Sequence, residues 1–192
     1  MIESKTDVLL LMLMGIVIML MVAIIGLFLR MNQLQQAVLA ALASSQAGMP
    51  EQEMGLEIGT QAPDFTRSDT NGTTVSLEAY AGQKVLLAFS STHCSACKEV
   101  YPHLKAFSES RGGVQVVMMS EGSAEENRQL VQTRGFAFPV LPVLDWEDEV
   151  MLDYQVPGMP FFYVIDGERV IVNASFANTL EQLEALVEGS EE

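Results

Sequence analysis

Cys94-Ser95-Ala96-Cys97 follows the apolar run Val85-Leu86-Leu87-Ala88-Phe89 and opens a helix-like stretch, and these are the two cysteines of the chain. A strand that stops at two thiols so spaced makes one sulfur reactive. The first falls at a helix N-terminus, where unpaired backbone N–H groups and the macrodipole favour a thiolate. The second lies one turn along the same helix and can close a disulfide with it. A purely structural disulfide is the plainer alternative, but so small a loop removes little entropy from the unfolded chain. A metal site is the other, built from Cys94, Cys97 and one of the nearby histidines His93 and His103. Redox chemistry ranks first. His93, directly before Cys94, either stabilises the thiolate when protonated, which makes activity pH-sensitive near neutrality, or is an ordinary exposed polar residue.

The elements that must position these thiols can be read on both sides of them. Residues 84–91 form a near-continuous apolar run, as expected of a strand buried on both faces, and 114–120 form a second. Residues 95–110 read as the helix between them, ended by Gly112-Gly113. Ser123-Ala124-Glu125-Glu126 is a capping-box sequence opening a helix to about Arg134. Residues 139–146 read as an extended run, followed by a short helix over 147–154. Two strands, 161–166 and 169–176, meet at the turn signal Asp166-Gly167, and 179–188 close the chain as a helix with Leu180, Leu183, Leu186 and Val187 on its apolar side. Upstream, Asn71-Gly72 and 73–77 suggest a short hairpin. This order predicts an α/β fold, a mixed central sheet flanked by helices.

The 192-residue chain has room for one such domain and something more. Residues 8–29, from Val8 to Leu29, carry no charge and no proline. At a rise of ~1.5 Å per residue they reach about 33 Å, enough to cross a hydrocarbon core. The run is longer than a signal peptide's apolar region, and the small-x-small triplet Ala41-Leu42-Ala43 lies well beyond its end, so an uncleaved single transmembrane helix is expected. The methionines of this run are lipid-facing filler. The expected organisation is a flank at 1–7, the transmembrane anchor at 8–29, a stalk and linker at 30–57, the domain at 58–189 and an acidic tail at 190–192. Lys5 and the amino terminus against Arg30 favour a cytoplasmic N-terminus, and disulfide chemistry suits an oxidising compartment. Both place the domain on the periplasmic or extracytoplasmic side of the inner membrane. Glu3, Lys5, Asp7 and Arg30 cancel, so the whole net charge of −15 falls on the rest of the chain. Nucleic acid and anionic lipid head groups are poor partners for that charge.

From about Ile58 to Gly189 the chain resembles the thioredoxin fold. The resemblance rests on the C-x-x-C at a strand-to-helix turn, on Gly59-x-x-Ala62-Pro63-Asp64-Phe65, and on Val156-Pro157-Gly158-Met159-Pro160 ahead of a strand. The opening motif resembles the redoxin, TlpA-like branch, commonly exported and membrane-tethered. Phe28-Leu29-Arg30 and the stretch from Asn178 to Leu186 are similar to the MauD family, accessory proteins of methylamine dehydrogenase maturation. The resemblance implies that Pro160 is a cis-proline, that its loop lies against the C-x-x-C, and that the Met159 backbone pairs with a client strand. It implies Cys94 as the attacking and Cys97 as the resolving sulfur of a redox-active disulfide. The buried acid that many thioredoxins hold beneath the thiols is absent: its position is Ala88. A proton for Cys97 must then come from water or another carboxylate, Glu121 being one candidate.

The expected function is thiol–disulfide exchange on exported client proteins, without a cofactor, by a protein held in the bilayer through residues 8–29. By the resemblance, its electrons come from a membrane donor of the DsbD or CcdA type. The alternatives are a copper-binding module using Cys94, Cys97 and a histidine, and a peroxiredoxin. The last needs a Pro and a Thr shaping a peroxide pocket, whereas Ser90, Ser91 and Thr92 precede His93 with no proline.

Overall fold

The computed structural model describes residues 55–110 and 112–189, together with 14–15, 18–21, 24 and 30. The chain divides into two units, Met1–Gln52 and Glu53–Glu192. In the first, the described residues are helical, and Met14, Ile18, Met19, Leu20, Met21 and Ile24 are exposed. Most of the expected anchor and stalk, and the acidic tail, lie outside the described residues. Among the described residues no helix is long and apolar enough to cross a membrane.

In the second unit, β1 (Thr66–Ser68) and β2 (Thr74–Ser76) form a small antiparallel hairpin around Gly72, whose φ of +83° suits its turn. A 3-10 turn over Leu77–Tyr80 leads to β3 (Lys84–Ser91). Then come α1 (Ser95–Ser110), β4 (Val114–Glu121), α2 (Ala124–Arg134), β5 (Val140–Val143), α3 (Glu149–Asp153), β6 (Phe161–Ile165), β7 (Ile171–Ser175) and α4 (Leu180–Glu188). The five-stranded sheet runs β5-β4-β3-β6-β7, with β3, β4 and β5 parallel and β6 and β7 antiparallel to their neighbours. This is the expected α/β architecture with a mixed sheet.

The apolar strands are explained by burial on both faces. Successive side chains alternate across a sheet, so Val85, Leu87 and Phe89 join one core with Val117, Met119, Tyr154 and Tyr163. Leu86 and Ala88 join the other with Val116, Met118, Phe162, the α1 residues Cys97, Val100, Tyr101, Leu104 and Phe107, and Leu183 and Leu186 of α4. Residue Ser123 caps α2 as expected: its hydroxyl accepts from the Glu126 N–H while the Glu126 carboxylate accepts from the Ser123 N–H.

The turn between β6 and β7 differs from the two-residue form that Asp166-Gly167 suggested. The left-handed residue is Arg169, at φ +64°. The Asp166 carboxylate accepts from the N–H groups of Glu168 and Val170, building the turn from its own side chain. Gly167, within that turn, is needed also for proximity: a Cβ there would sit 3.1 Å from the backbone of Gly82.

Candidate active site

Parallel pairing of β3, β4 and β5 brings their C-terminal ends to one edge of the sheet, and antiparallel β6 brings its N-terminal end to the same edge. The loops that meet there include Thr92-His93-Cys94 after β3, Gly122-Ser123 after β4, and the segment ending at Met159-Pro160 before β6.

Cys94 precedes the first residue of α1 and occupies its N-cap position. Its Sγ accepts from the Cys97 N–H at 3.0 Å, the bond an N-cap oxygen normally takes. Its carbonyl accepts from Lys98 N–H at 3.3 Å. Negative charge on this sulfur therefore meets a backbone donor and the positive end of a sixteen-residue helix. Cys97, in the first turn, is fully buried, whereas Cys94 is partly exposed. The two sulfurs form a disulfide, with Cα atoms 5.2 Å apart.

Cys94 Sγ lies 3.6 Å from the Met159 carbonyl oxygen, across 65 residues of sequence. The Met159–Pro160 peptide bond is cis. Phe176, just after β7, packs edge-on against Phe161 at 5.0 Å, and a Cβ on Gly158 would touch its ring at 3.3 Å. The Met159-Pro160 loop thus has an aromatic wall behind it.

His93 is placed differently from a residue devoted to the thiols. Its ring is largely exposed and its Nε2 lies 3.5 Å from Glu126 Oε1 on α2. The other carboxylate oxygen of Glu126 is held by the Ser123 N–H and hydroxyl. These hydrogen bonds from Ser123, with a smaller contribution from His93, keep the Glu126 carboxyl below its usual range. Sequence reading found this capping box and missed its second use, because the neighbour of the redox loop comes from the next crossover. The side chain of Glu121 belongs, by strand alternation, to the face shared by Val117 and Met119, opposite the Cys97 core. The pleat thus removes it as a proton donor to Cys97. Ala88 is buried in the Cys97 core, as its strand position implied. His103 lies two turns further along α1 than the cysteines, and among the described residues no group of three His, Cys, Asp or Glu side chains could hold a metal ion.

Residues 58–174 match the AhpC/TSA family, a span that covers the small hairpin, the redox loop, the Met159-Pro160 loop and most of the sheet. The chain belongs to that family. The methylamine utilization protein MauD of Paracoccus denitrificans is 31% identical over 148 residues, covering 76% of this chain and 72% of that protein. The thiol-disulfide oxidoreductase ResA of Bacillus subtilis is 30% identical over 130 residues, covering 65% of this chain and 70% of its own length. Among solved structures, the thioredoxin domain of a thiol-disulfide oxidoreductase from Bacteroides vulgatus superposes with a TM-score of 0.61 at 24% identity, over 69% of this chain and 99% of that one. The fold of this family member is thioredoxin-like.

Proposed function

We propose that this chain is a thiol–disulfide oxidoreductase that reduces or rearranges disulfides of exported client proteins. The observation that carries the reading is the Cys94–Cys97 disulfide at the N-terminus of α1, one sulfur reachable and capped by a backbone N–H, the other buried. In the dithiol form, the Cys94 thiolate attacks a client disulfide and one client sulfur leaves as thiolate. Cys97 then attacks Cys94 Sγ, releases the second client sulfur and regenerates the disulfide. The client gains two electrons and the enzyme loses two. Rate follows the thiolate fraction and nucleophilicity of Cys94; direction follows the difference in reduction potentials.

The Met159 backbone, beside Cys94 Sγ, is the edge along which an extended client segment pairs. His93 modulates Cys94, and the Glu126 carboxylate, 3.5 Å from the His93 Nε2, tempers that effect. The apolar run at residues 8–29 serves as a membrane anchor, with the domain on the extracytoplasmic side and a membrane reductase of the DsbD or CcdA type as electron donor. Similarity to MauD favours a client of the methylamine dehydrogenase kind over general oxidative folding.

Cys97→Ala is the test. Expressed in the native host, it accumulates mixed disulfides with clients through Cys94, resolved by non-reducing gels and mass spectrometry, while Cys94→Ala does not. The same adducts from both variants reject the assigned roles, and none from Cys97→Ala rejects the client reading.

A further inference from the structure

The face of β3 that packs on α1 changes character at the redox edge: Leu86 and Ala88 are followed by the buried Ser90. Opposite it on α1, Cys97 and Tyr101 stand one turn apart on the same buried stripe. The Tyr101 phenol is fully buried and donates to the Ser91 carbonyl at 3.0 Å. Because its proton is committed there, the Ser90 hydroxyl, 2.8 Å away, donates to it. Ring position does not depend on these bonds alone. Phe136 packs edge-on at 5.7 Å and the Arg134 guanidinium lies 5.6 Å from the ring centroid.

This chain of bonds joins the helix that carries Cys97 to the last residues of the strand that delivers Cys94. Between them lies only Thr92-His93-Cys94. Once the disulfide is reduced, the covalent tie between the two sulfurs is gone. Near the thiols there remain the bonds from the Cys97 and Lys98 N–H groups to Cys94, those from Cys94 N–H to Ser91 at the end of β3 and from Thr92 N–H to Glu121 at the end of β4, and the buried Tyr101 brace. The first two close within the cysteine turn, while the Cys94 and Thr92 N–H bonds hold the loop, not the body of the helix, to the strand ends. Tyr101 refers the helix to the sheet.

We propose that Tyr101 is a positioning residue of the redox centre, whose hydroxyl locks α1 to the end of β3 and so keeps the Cys97 sulfur aimed at Cys94 when both are reduced. It rests on the dithiol–disulfide reading above. The brace raises the effective concentration of one thiol at the other, which favours the disulfide and lowers the reduction potential. It also speeds the resolving step, in which the Cys97 thiolate forms a bond to Cys94 Sγ, the Cys94–client bond breaks, and the client sulfur leaves with the electron pair and is protonated from solvent.

The experiment compares full-length wild type, Tyr101→Phe and Ser90→Ala/Tyr101→Phe. Each is equilibrated with glutathione redox buffers, its rate of resolving a preformed Cys94–glutathione mixed disulfide is recorded, and its thermal midpoint is measured in parallel. Tyr101→Phe keeps the ring and removes both bonds; the double variant also removes the serine hydroxyl left without its acceptor. The expected result is an equilibrium constant for disulfide formation lowered about tenfold in both variants, which corresponds to a potential about 30 mV more oxidising. Resolution slows by a similar factor, and the thermal midpoint recovers in the double variant while the redox constant does not. A constant and rate within twofold of wild type in the double variant overturn the proposal, whether Tyr101→Phe was altered or not, because Tyr101 then acts on stability alone. Should Tyr101→Phe fail to fold, the double variant carries the test. Capture of clients by Cys97→Ala together with an unchanged redox constant rejects only the brace. An altered constant without client capture rejects only the client reading.

Discussion

Gly122→Ala probes the corner on which the redox loop rests. Gly122 has a φ of +137°, a backbone region that costs an L-residue about 1–3 kcal/mol. Its Cβ would stand 2.5 Å from Thr92 Oγ1 and 3.1 Å from Thr92 Cγ2. Retreat is limited on both sides, because Thr92 N–H bonds to Glu121 O at 2.9 Å and Gly122 N–H to Val143 O at 3.0 Å. Overpacking of this kind costs a further ~1–3 kcal/mol. The sum is about 2–6 kcal/mol, a large part of the ~5–15 kcal/mol that keeps a domain folded. The two contributions separate in a double-mutant cycle with Thr92→Ala, which removes both colliding atoms and leaves the backbone strain. Urea unfolding of the full-length protein, followed by circular dichroism, should show Gly122→Ala recovering about 1–3 kcal/mol in the Thr92→Ala background. Since Thr92 is two residues from Cys94, the single variant should also alter the rate of Cys94 alkylation, and the double variant should restore it. Additivity of the two substitutions within about 0.5 kcal/mol would refute the reasoning.

Gly55→Ala should destabilise the domain by about 2–4 kcal/mol in the same unfolding assay, because φ is +89° and the new Cβ collides with the Tyr163 hydroxyl. That hydroxyl accepts from Leu56 N–H and donates to the Tyr154 carbonyl, so both bonds are at risk. Asp148→Ala should cost about 1–3 kcal/mol, since the carboxylate caps α3 through Val150 N–H and pairs with Arg67. Glu126 gives a pH signature. Its carboxyl is held below the usual 4.5 by Ser123, so its stabilisation is complete above that value and is lost as pH falls through the lower folded pKa. The thermal midpoints of wild type and Glu126→Gln should therefore converge on acidification below about pH 4.5, and a gap that widens there would contradict the assignment.

Much of the fold was legible because its signals are local. The runs at Val85 to Phe89 and Val116 to Met119 are apolar without alternation, which marks strands covered on both sides, and strands form there. Ser123 and Glu126 stand at capping-box spacing, and the cap forms. What stayed hidden depends on strand order or on which way a side chain leaves the pleat. Gly167 looked like a turn residue and is one, but its close approach to Gly82 was not visible. Glu121 looked close enough to serve Cys97, and strand alternation turns it to the opposite face.

By themselves, the residues determined that two thiols stand at a strand-to-helix junction, the first at the cap and the second one turn in, because helix periodicity and end effects act over three or four positions. Only the tertiary structure decided what surrounds them. It set Met159 beside Cys94, turned His93 toward Glu126 and ran Tyr101 from the Cys97 helix to the end of β3. Each of those contacts joins different elements of the β5-β4-β3-β6-β7 sheet and its helices. Their geometry comes from register and packing that no short window of sequence contains.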